Sequence, residues 1–568
     1  MAEGLSRWAR ILGCAAVILL CAFAAFGRSL WQGFAAIDDA FLVYGNLAIR
    51  GITLSTLKLA FTTYDPELYI PGTLVSFQVN YLIAGLHPWI YHCTNLALHA
   101  ANAFLVFVLA DRVRRRSRGN EEEERGNGGS MFPAIAAAVL FAVHPLHTEA
   151  VVWIAGRKDL LSTFFFLLAC IAYISSREGH RRWYAASMAF FLLALLAKVM
   201  AITLPAVLLA YDLLIERRRG WSLLLQKIPH IVLSMLFLII AIGGKERILS
   251  GSSLLPSALV AARSVVLTLQ KLVFPVGLSP FYELRASIAV ADPRFLFPLV
   301  ILLMLIGLLA WLWVRWPACA FGLCFFLITL APTLFILHRE GGMFLASDRY
   351  AYLPSVGVFL LLAMAAFPLG KALVDRLPPI TPLIAVVGIV ILLTSLSTAQ
   401  TRVWDSGETL FAHAVFLSPA SVMARTALAN VYREEGKYPQ AFNVLKEGLR
   451  YRDDPELHIG AGYVYAATGD TPSAEEQFRS AATMEPNNPV PIFSLGSLAE
   501  QRSDAKTAQR LYEQAVALDP SYVAARVGLA RMFKYQGKLD QARMQLTEAL
   551  RWNPSAENAR MLLEELKK

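Results

Sequence analysis

As far as about residue 400, the chain is a succession of apolar stretches separated by short loops that carry arginine. The stretches are 11–30, 88–110, 131–148, 159–176, 184–198, 200–215, 229–244, 295–314, 317–337, 350–367 and 380–398. Inside a bilayer no water satisfies the backbone, so segments of this kind must be helices. A mean hydropathy of +0.51 and 56% hydrophobic residues are too apolar for a soluble chain of 568 residues. The expectation is an all-α membrane region of eleven spans. The basic loops, Arg112 to Arg118, Arg177 to Arg182, Arg217 to Arg219, Arg315, and Lys371 to Arg376, all fall on the cytoplasmic side on one condition. That condition is that Ser252–Phe274 does not cross. This segment carries Arg263, Gln270 and Lys271 among apolar residues and reads as an interfacial amphipathic helix. The N-terminus is then inside and the C-terminus outside. Arg7 and Arg10 before Ile11–Phe26 resemble a signal sequence, but no small-residue cleavage site follows, so this reads as a retained first span. The net charge of +10 is explained by topology, not by nucleic-acid binding. The six cysteines lie in or beside apolar stretches, which removes a disulfide framework or zinc module from the C-terminal third.

This topology gathers the other polar residues on the outer face. Asp38 and Asp39 open a long first outer loop, 31–87, which also holds amphipathic Ala48–Phe61 and the short or re-entrant Tyr69–Leu86. His144, His147 and Glu149 share the next outer turn with Arg157, Lys158 and Asp159. Lys198, then Lys245-Glu246-Arg247, then Ser347-Asp348-Arg349-Tyr350 complete the set. By itself the aspartate pair reads as a solvated loop start capping Ala40–Ile49. Acid/base chemistry at a membrane surface is the other reading.

Beyond residue 420 the composition changes and a period of 34 residues sets in. Pro486, Pro520 and Pro554 keep it, as do Ala474, Ala508 and Ala542, and Ala481, Ala515 and Ala549. Large residues recur at Phe478, Tyr512 and Leu546, and small ones at Gly462, Gly496 and Ala530. This is the tetratricopeptide (TPR) pattern of helix pairs. It sets out a transmembrane domain 1–400, a connecting half-repeat 401–421, four repeats over 422–556 and a capping helix 557–568. A TPR α-solenoid offers a groove for an extended peptide, or serves as an assembly scaffold.

Five blocks resemble the membrane domain of the transmembrane-and-TPR (TMTC-type) O-mannosyltransferases and their bacterial relatives. They are IDDAFLVYGN (37–46), YLIAGLHPWIYHCTNLALHAANA (81–103), HPLHTEAVVWIAGRKDLLS (144–162), LLAKVMAITLPAVLLAYDLL (195–214) and SDRYAYLPSVG (347–357). The resemblance implies a GT-C glycosyltransferase using a polyprenyl-phosphate sugar from the outer leaflet. Two positions depart from it: Ile70 stands where the relatives usually have arginine, and Val199 where a proline usually follows the lysine. The missing arginine removes one possible phosphate ligand.

The chemistry agrees with the resemblance. A sugar phosphate already has a good leaving group, so transfer needs one base for the acceptor hydroxyl and cations over the departing phosphate. By resemblance Asp38 is the base, and Asp39 orients it or an acceptor backbone. Arg157, Lys158, Lys198 and Arg349 are the phosphate candidates. His144, His147, Glu149 and Asp348 are assigned to the substrate pocket. A metal at the two histidines is disfavoured because Pro145 breaks the helix and no third ligand is near. No cofactor is expected. The implied function is inverting transfer of a sugar, by resemblance mannose, to Ser/Thr of a protein recruited by the TPR groove. The implied location is a bacterial inner membrane with the repeats on the periplasmic side. A non-catalytic TPR scaffold and a lipid-linked sugar transporter or polymerase are the alternatives.

Overall fold

The structure, a computed structural model, describes residues 2–35, 37–64, 68–118, 131–180, 182–243, 254–284, 288–335, 338–339, 342–374, 381–554 and 556–566. The expected Lys245-Glu246-Arg247 cluster lies outside these. The chain divides into two compact units, Met1–Gly45 with Ile49–Ser406, and Gly407–Lys568 with Asn46–Ala48.

The first unit is a bundle of apolar helices. Among the described residues, seven helices are long and apolar enough to cross a membrane, or eight if the bent pair Phe132–Val143 and Pro145–Val152 is one span. The expected eleven is therefore not what length and composition return. Three of the expected spans correspond to shorter apolar helices, Arg182–Ala197, Val199–Leu214 and Ile228–Gly243. Conversely, the expected interfacial segment forms a continuous helix, Leu254–Val273, and meets the length and composition test for a span.

Local sequence explains the breaks. His144 precedes proline and is extended (φ −76, ψ 127), so the helix ending at Val143 restarts in a new direction, bent by 52°. Helices Pro317–Leu330 and Tyr352–Val374 meet at Gly322 and Gly357. A Cβ on Gly322 would lie 2.6 Å from Gly357 O, and one on Gly357 2.4 Å from Gly322 O. Close backbone approach of this kind replaces hydrophobic driving force inside a membrane. The all-α expectation is met apart from a small antiparallel sheet in the order β1-β3-β2, from Tyr282–Leu284, His338–Arg339 and Gly342–Ala346. Strands this short leave no periodic trace in a sequence.

The second unit is a succession of helix pairs: Val422–Glu434 with Tyr438–Tyr451, Pro455–Thr468 with Thr471–Met484, Pro489–Gln501 with Ala505–Leu518, and Val523–Tyr535 with Leu539–Trp552. Gly407–Leu417 precedes them and Glu557–Glu565 follows. The periodic small residues sit where helices touch: a Cβ on Gly462 would lie 2.5 Å from the Phe478 ring. Ala474, Ala508 and Ala542 are fully buried. The period also repeats its caps, with Asp470 accepting from Ser473 N and Asp504 from Thr507 N.

Candidate functional site

The two adjacent aspartates are placed in different environments. Asp38 has φ +47, a left-handed conformation that is uncommon for a non-glycine residue and costs strain unless its surroundings impose it. Its carbonyl starts the following π turn by accepting from Phe41 N at 3.0 Å and Leu42 N at 2.8 Å. Its carboxylate is partly exposed and, among the described residues, makes no hydrogen bond or ion pair. Asp39 is fully buried. It does not cap its own turn, as a loop-start aspartate would. Instead one oxygen accepts from Ala35 N at 2.7 Å and the other from Ala155 N at 3.0 Å. The Trp153 indole N–H adds a bond to Ile37 O at 2.9 Å. The segment 35–39 is thus stitched to the 153–156 turn. Burial pushes the Asp39 carboxyl up to about 7, with the two backbone N–H groups and Lys158 pulling it down.

That turn leads into the helix Arg157–Ser176. A Cβ at Gly156 would lie 2.5 Å from Ala150 O, so only glycine lets the chain fold back this tightly. Lys158 emerges from it with its Nζ 4.4 Å from the Trp153 ring centroid. Arg349 Cζ lies 5.0 Å from the same ring and 4.9 Å from Tyr350. Lys198 Nζ lies 5.2 Å from Tyr350. Three cations from distant parts of the chain therefore share two aromatic rings.

Their partners differ. Lys198 pairs with Asp159 at 2.5 Å. Arg349 pairs with Glu149, which also accepts from Ser347 Oγ at 2.8 Å and from Arg349 N at 3.0 Å. Burial opposes the Arg349 charge, but Glu149 outweighs it and holds the guanidinium above its ordinary value. Lys158 is 3% exposed and, among the described residues, has no hydrogen bond or ion pair. Asp38 is within electrostatic reach of it. An unpaired buried ammonium beside a second cation and a free carboxylate is an arrangement that an anionic ligand would complete.

Four expected site residues are committed elsewhere. Arg157 is fully buried. It donates to Asn80 Oδ1 at 2.9 Å, Tyr91 O at 2.8 Å, Ser76 Oγ at 3.3 Å and Asn95 Oδ1, with its Cζ 5.1 Å from the Phe77 ring. It pins the Pro71–Ala84 and Pro88–Arg118 helices together and is not free to hold a phosphate. His144 Nδ1 accepts from Leu146 N at 3.2 Å, so its Nε2–H donates to Leu272 O at 3.0 Å. His147 bonds Phe141 O at 2.8 Å and Ser355 Oγ at 2.9 Å. Both rings are buried and packed against Phe359, with Phe141 and Tyr352 also on His147. Asp348 accepts from Tyr282 OH at 2.7 Å, and burial together with nearby Glu149 raises its carboxyl well above the usual range. Among the described residues no three His, Cys, Asp or Glu side chains are grouped to hold a metal ion.

Trp153 and Tyr350 were not singled out from sequence as site residues. The signal was present: each is an aromatic residue within a few positions of a basic one in two of the five blocks.

Sequence models of the tetratricopeptide repeat family match residues 426–489 and 499–566. Over 93% of its length the chain is 25% identical to human protein O-mannosyl-transferase TMTC3. It is 25% identical to human protein O-mannosyl-transferase TMTC1 over 77% of its length. Identity rises to 33% with human protein O-mannosyl-transferase TMTC2, over 26% of this chain and 17% of that protein. The chain spans 63% of the length of human TMTC3 and 55% of human TMTC1.

Proposed function

We propose that this chain, TMTC-like over most of its length, is a membrane glycosyltransferase. It moves a sugar, mannose by analogy with the named relatives, from a polyprenyl-phosphate donor to a Ser/Thr hydroxyl of a protein. The observation that carries the proposal is that Lys158 and Arg349 share one indole while Asp38, in a left-handed conformation, lies within electrostatic reach of Lys158, and among the described residues neither Asp38 nor Lys158 has a hydrogen bond or ion pair.

In this reading the Asp38 carboxylate takes the acceptor hydroxyl proton. The hydroxyl oxygen then attacks the anomeric carbon and the bond from that carbon to the phosphate oxygen breaks, inverting the centre. The extra negative charge on the departing lipid phosphate is met by Lys158 and Arg349, cations already desolvated and held by Trp153. Asp39 keeps Asp38 aimed by fixing the backbone on either side of the turn. Lys198 with Asp159 forms the far wall through Tyr350. No metal is invoked, because the lysine and arginine supply the positive charge. The TPR unit recruits the acceptor polypeptide, and the site opens to the non-cytoplasmic face of a bacterial inner membrane.

The test is full-length protein in liposomes with a labelled mannosyl-phospho-polyprenol and a Ser/Thr-containing acceptor. Asp38→Asn is expected to lower transfer by about 10²–10⁴-fold, the range for removing a general base. Transfer at the wild-type rate would remove Asp38 as base. No transfer by the wild type from any lipid-phosphate sugar would remove the reading altogether and favour a scaffold.

A further inference from the structure

We infer that the Leu254–Val273 helix does not cross the membrane but lies along the lipid surface on the Asp38 side, with the phospholipid headgroup boundary of that leaflet as its partner. Length and composition alone would make it a span. Its neighbours decide otherwise.

The preceding apolar helix, Ile228–Gly243, runs from the arginine-rich face to the Asp38 face. At its start Lys227 is bonded to Asp212 at 2.5 Å, and Asp212 also holds Arg177. Near its end Ile240 O accepts from the hydroxyl of Tyr64, a residue of the first outer loop, at 2.8 Å. The far end of Leu254–Val273 is tied to the same face. Leu272 O accepts from His144, Lys271 Nζ donates to Val276 O at 2.7 Å and Gly277 O at 2.9 Å, and Leu278 O accepts from Gln400 at 3.3 Å. The middle of the helix is also held there. Ser264 Oγ donates to Leu345 O, in the strand that leads to Ser347 and Arg349. Leu259 and Val260 pack with Leu345 and with Phe295, in the first turn of Pro293–Arg315.

If the helix crossed, residues 244–253 would have to bring the chain back through the bilayer first. Those ten residues include Lys245, Glu246 and Arg247. As a helix ten residues reach only about 15 Å, half of a hydrocarbon core about 30 Å thick. Extended, they would drag unsatisfied backbone and three charges through it.

The partner follows from composition and exposure. The helix carries Arg263 and Lys271 and no acidic residue. Leu255, Val273, Phe274 and Val276 are exposed, as are Phe297, Val300 and Leu303 on the span against which the helix packs. A basic amphipathic helix with exposed apolar residues, packed on the end of a lipid-facing span, belongs at a phospholipid boundary. The inference does not depend on the glycosyltransferase reading.

Full-length Leu255→Cys and Phe274→Cys variants in vesicles of phosphatidylethanolamine and phosphatidylglycerol test it, with an impermeant maleimide applied to each side in turn. Thr62→Cys marks the Asp38 side and Arg218→Cys the arginine side, and the wild type gives the background of its own cysteines. Both test positions are expected to label from the Thr62→Cys side. Labelling of Leu255→Cys from the Arg218→Cys side, or protection of it from both, would overturn the inference. As a second readout, a nitrobenzoxadiazole probe on Phe274→Cys should be quenched more by lipids brominated near the headgroup than by lipids brominated near mid-bilayer. The reverse order would overturn the headgroup boundary as partner.

Discussion

Asp38 and Asp212 are both aspartates of the membrane unit within electrostatic reach of a lysine, yet they are wired in opposite ways. Asp212 is fully buried and directly bonded to Arg177 at 2.6 Å and Lys227 at 2.5 Å, with Tyr173 OH donating at 2.6 Å. Every charge there has a contact partner, and the cluster staples helices Arg157–Ser176, Leu204–Leu214 and Ile228–Gly243. Around Asp38, Lys158 lies on Trp153, Arg349 is bonded to Glu149 rather than to an aspartate, and among the described residues neither Lys158 nor the Asp38 carboxylate has a hydrogen bond or ion pair. A saturated cluster holds a fold together. A cluster kept apart by aromatic rings and backbone strain leaves its electrostatic work for a ligand.

The sharpest way to break this comparison is to make the same substitution at both places. Asp38→Asn should abolish most transfer, by about 10²–10⁴-fold, while leaving thermal stability unchanged, since asparagine tolerates a left-handed φ. Asp212→Asn should do the reverse and destabilise by about 3–5 kcal/mol, because two buried cations lose their anion. Thermal unfolding in detergent, run beside the transfer assay, reads both. Equal loss of stability at the two positions would erase the distinction.

Lys158→Met comes next. Transfer should fall by about 10²–10³-fold if the ammonium meets developing phosphate charge. Stability should hold or rise, because an unpaired buried charge is replaced by an apolar side chain. A variant that melts lower than wild type would mean that Lys158 has a structural partner.

Asp39 gives the smallest effect and a signed pH dependence. Its folded value of about 7 lies above the ordinary carboxylate value, about 3.9 in an unfolded chain. The folded state therefore holds this proton more tightly. The stability it contributes is complete below about pH 4 and is lost as pH rises through 7. Asp39→Asn should flatten the part of the fall in melting temperature between about pH 4 and 7 that this group causes. It should cost about 1 kcal/mol for one lost backbone hydrogen bond. An unchanged pH slope would sink the assignment.

Part of this was legible in the residues. The 34-residue period gave the repeats together with their contact glycines, because a solenoid buries the same positions in every turn. The apolar stretches gave the helical membrane class. What the residues did not carry was commitment. Arg157 and Lys158 are neighbours with similar chemistry in sequence, but one is caged by Asn80, Asn95 and Tyr91 O and the other has no hydrogen bond or ion pair among the described residues. His144 and His147 suggested a pocket and proved to be packing. The length of Leu254–Val273 suggests a span, while Arg263 and Lys271 suggest a surface helix, and sequence alone cannot weigh the two.

Sequence by itself determined the solvent of each part of this protein: lipid up to about residue 400, water beyond it. Hydrophobicity and period are local properties, summed along the chain. Only the tertiary structure decided which charges are neutralised and which are left open. That depends on partners more than a hundred residues apart, such as Glu149 with Arg349, or Asp39 with Ala155 N. In a low dielectric, whether such a partner is in contact decides whether a buried charge acts as a staple or as a site.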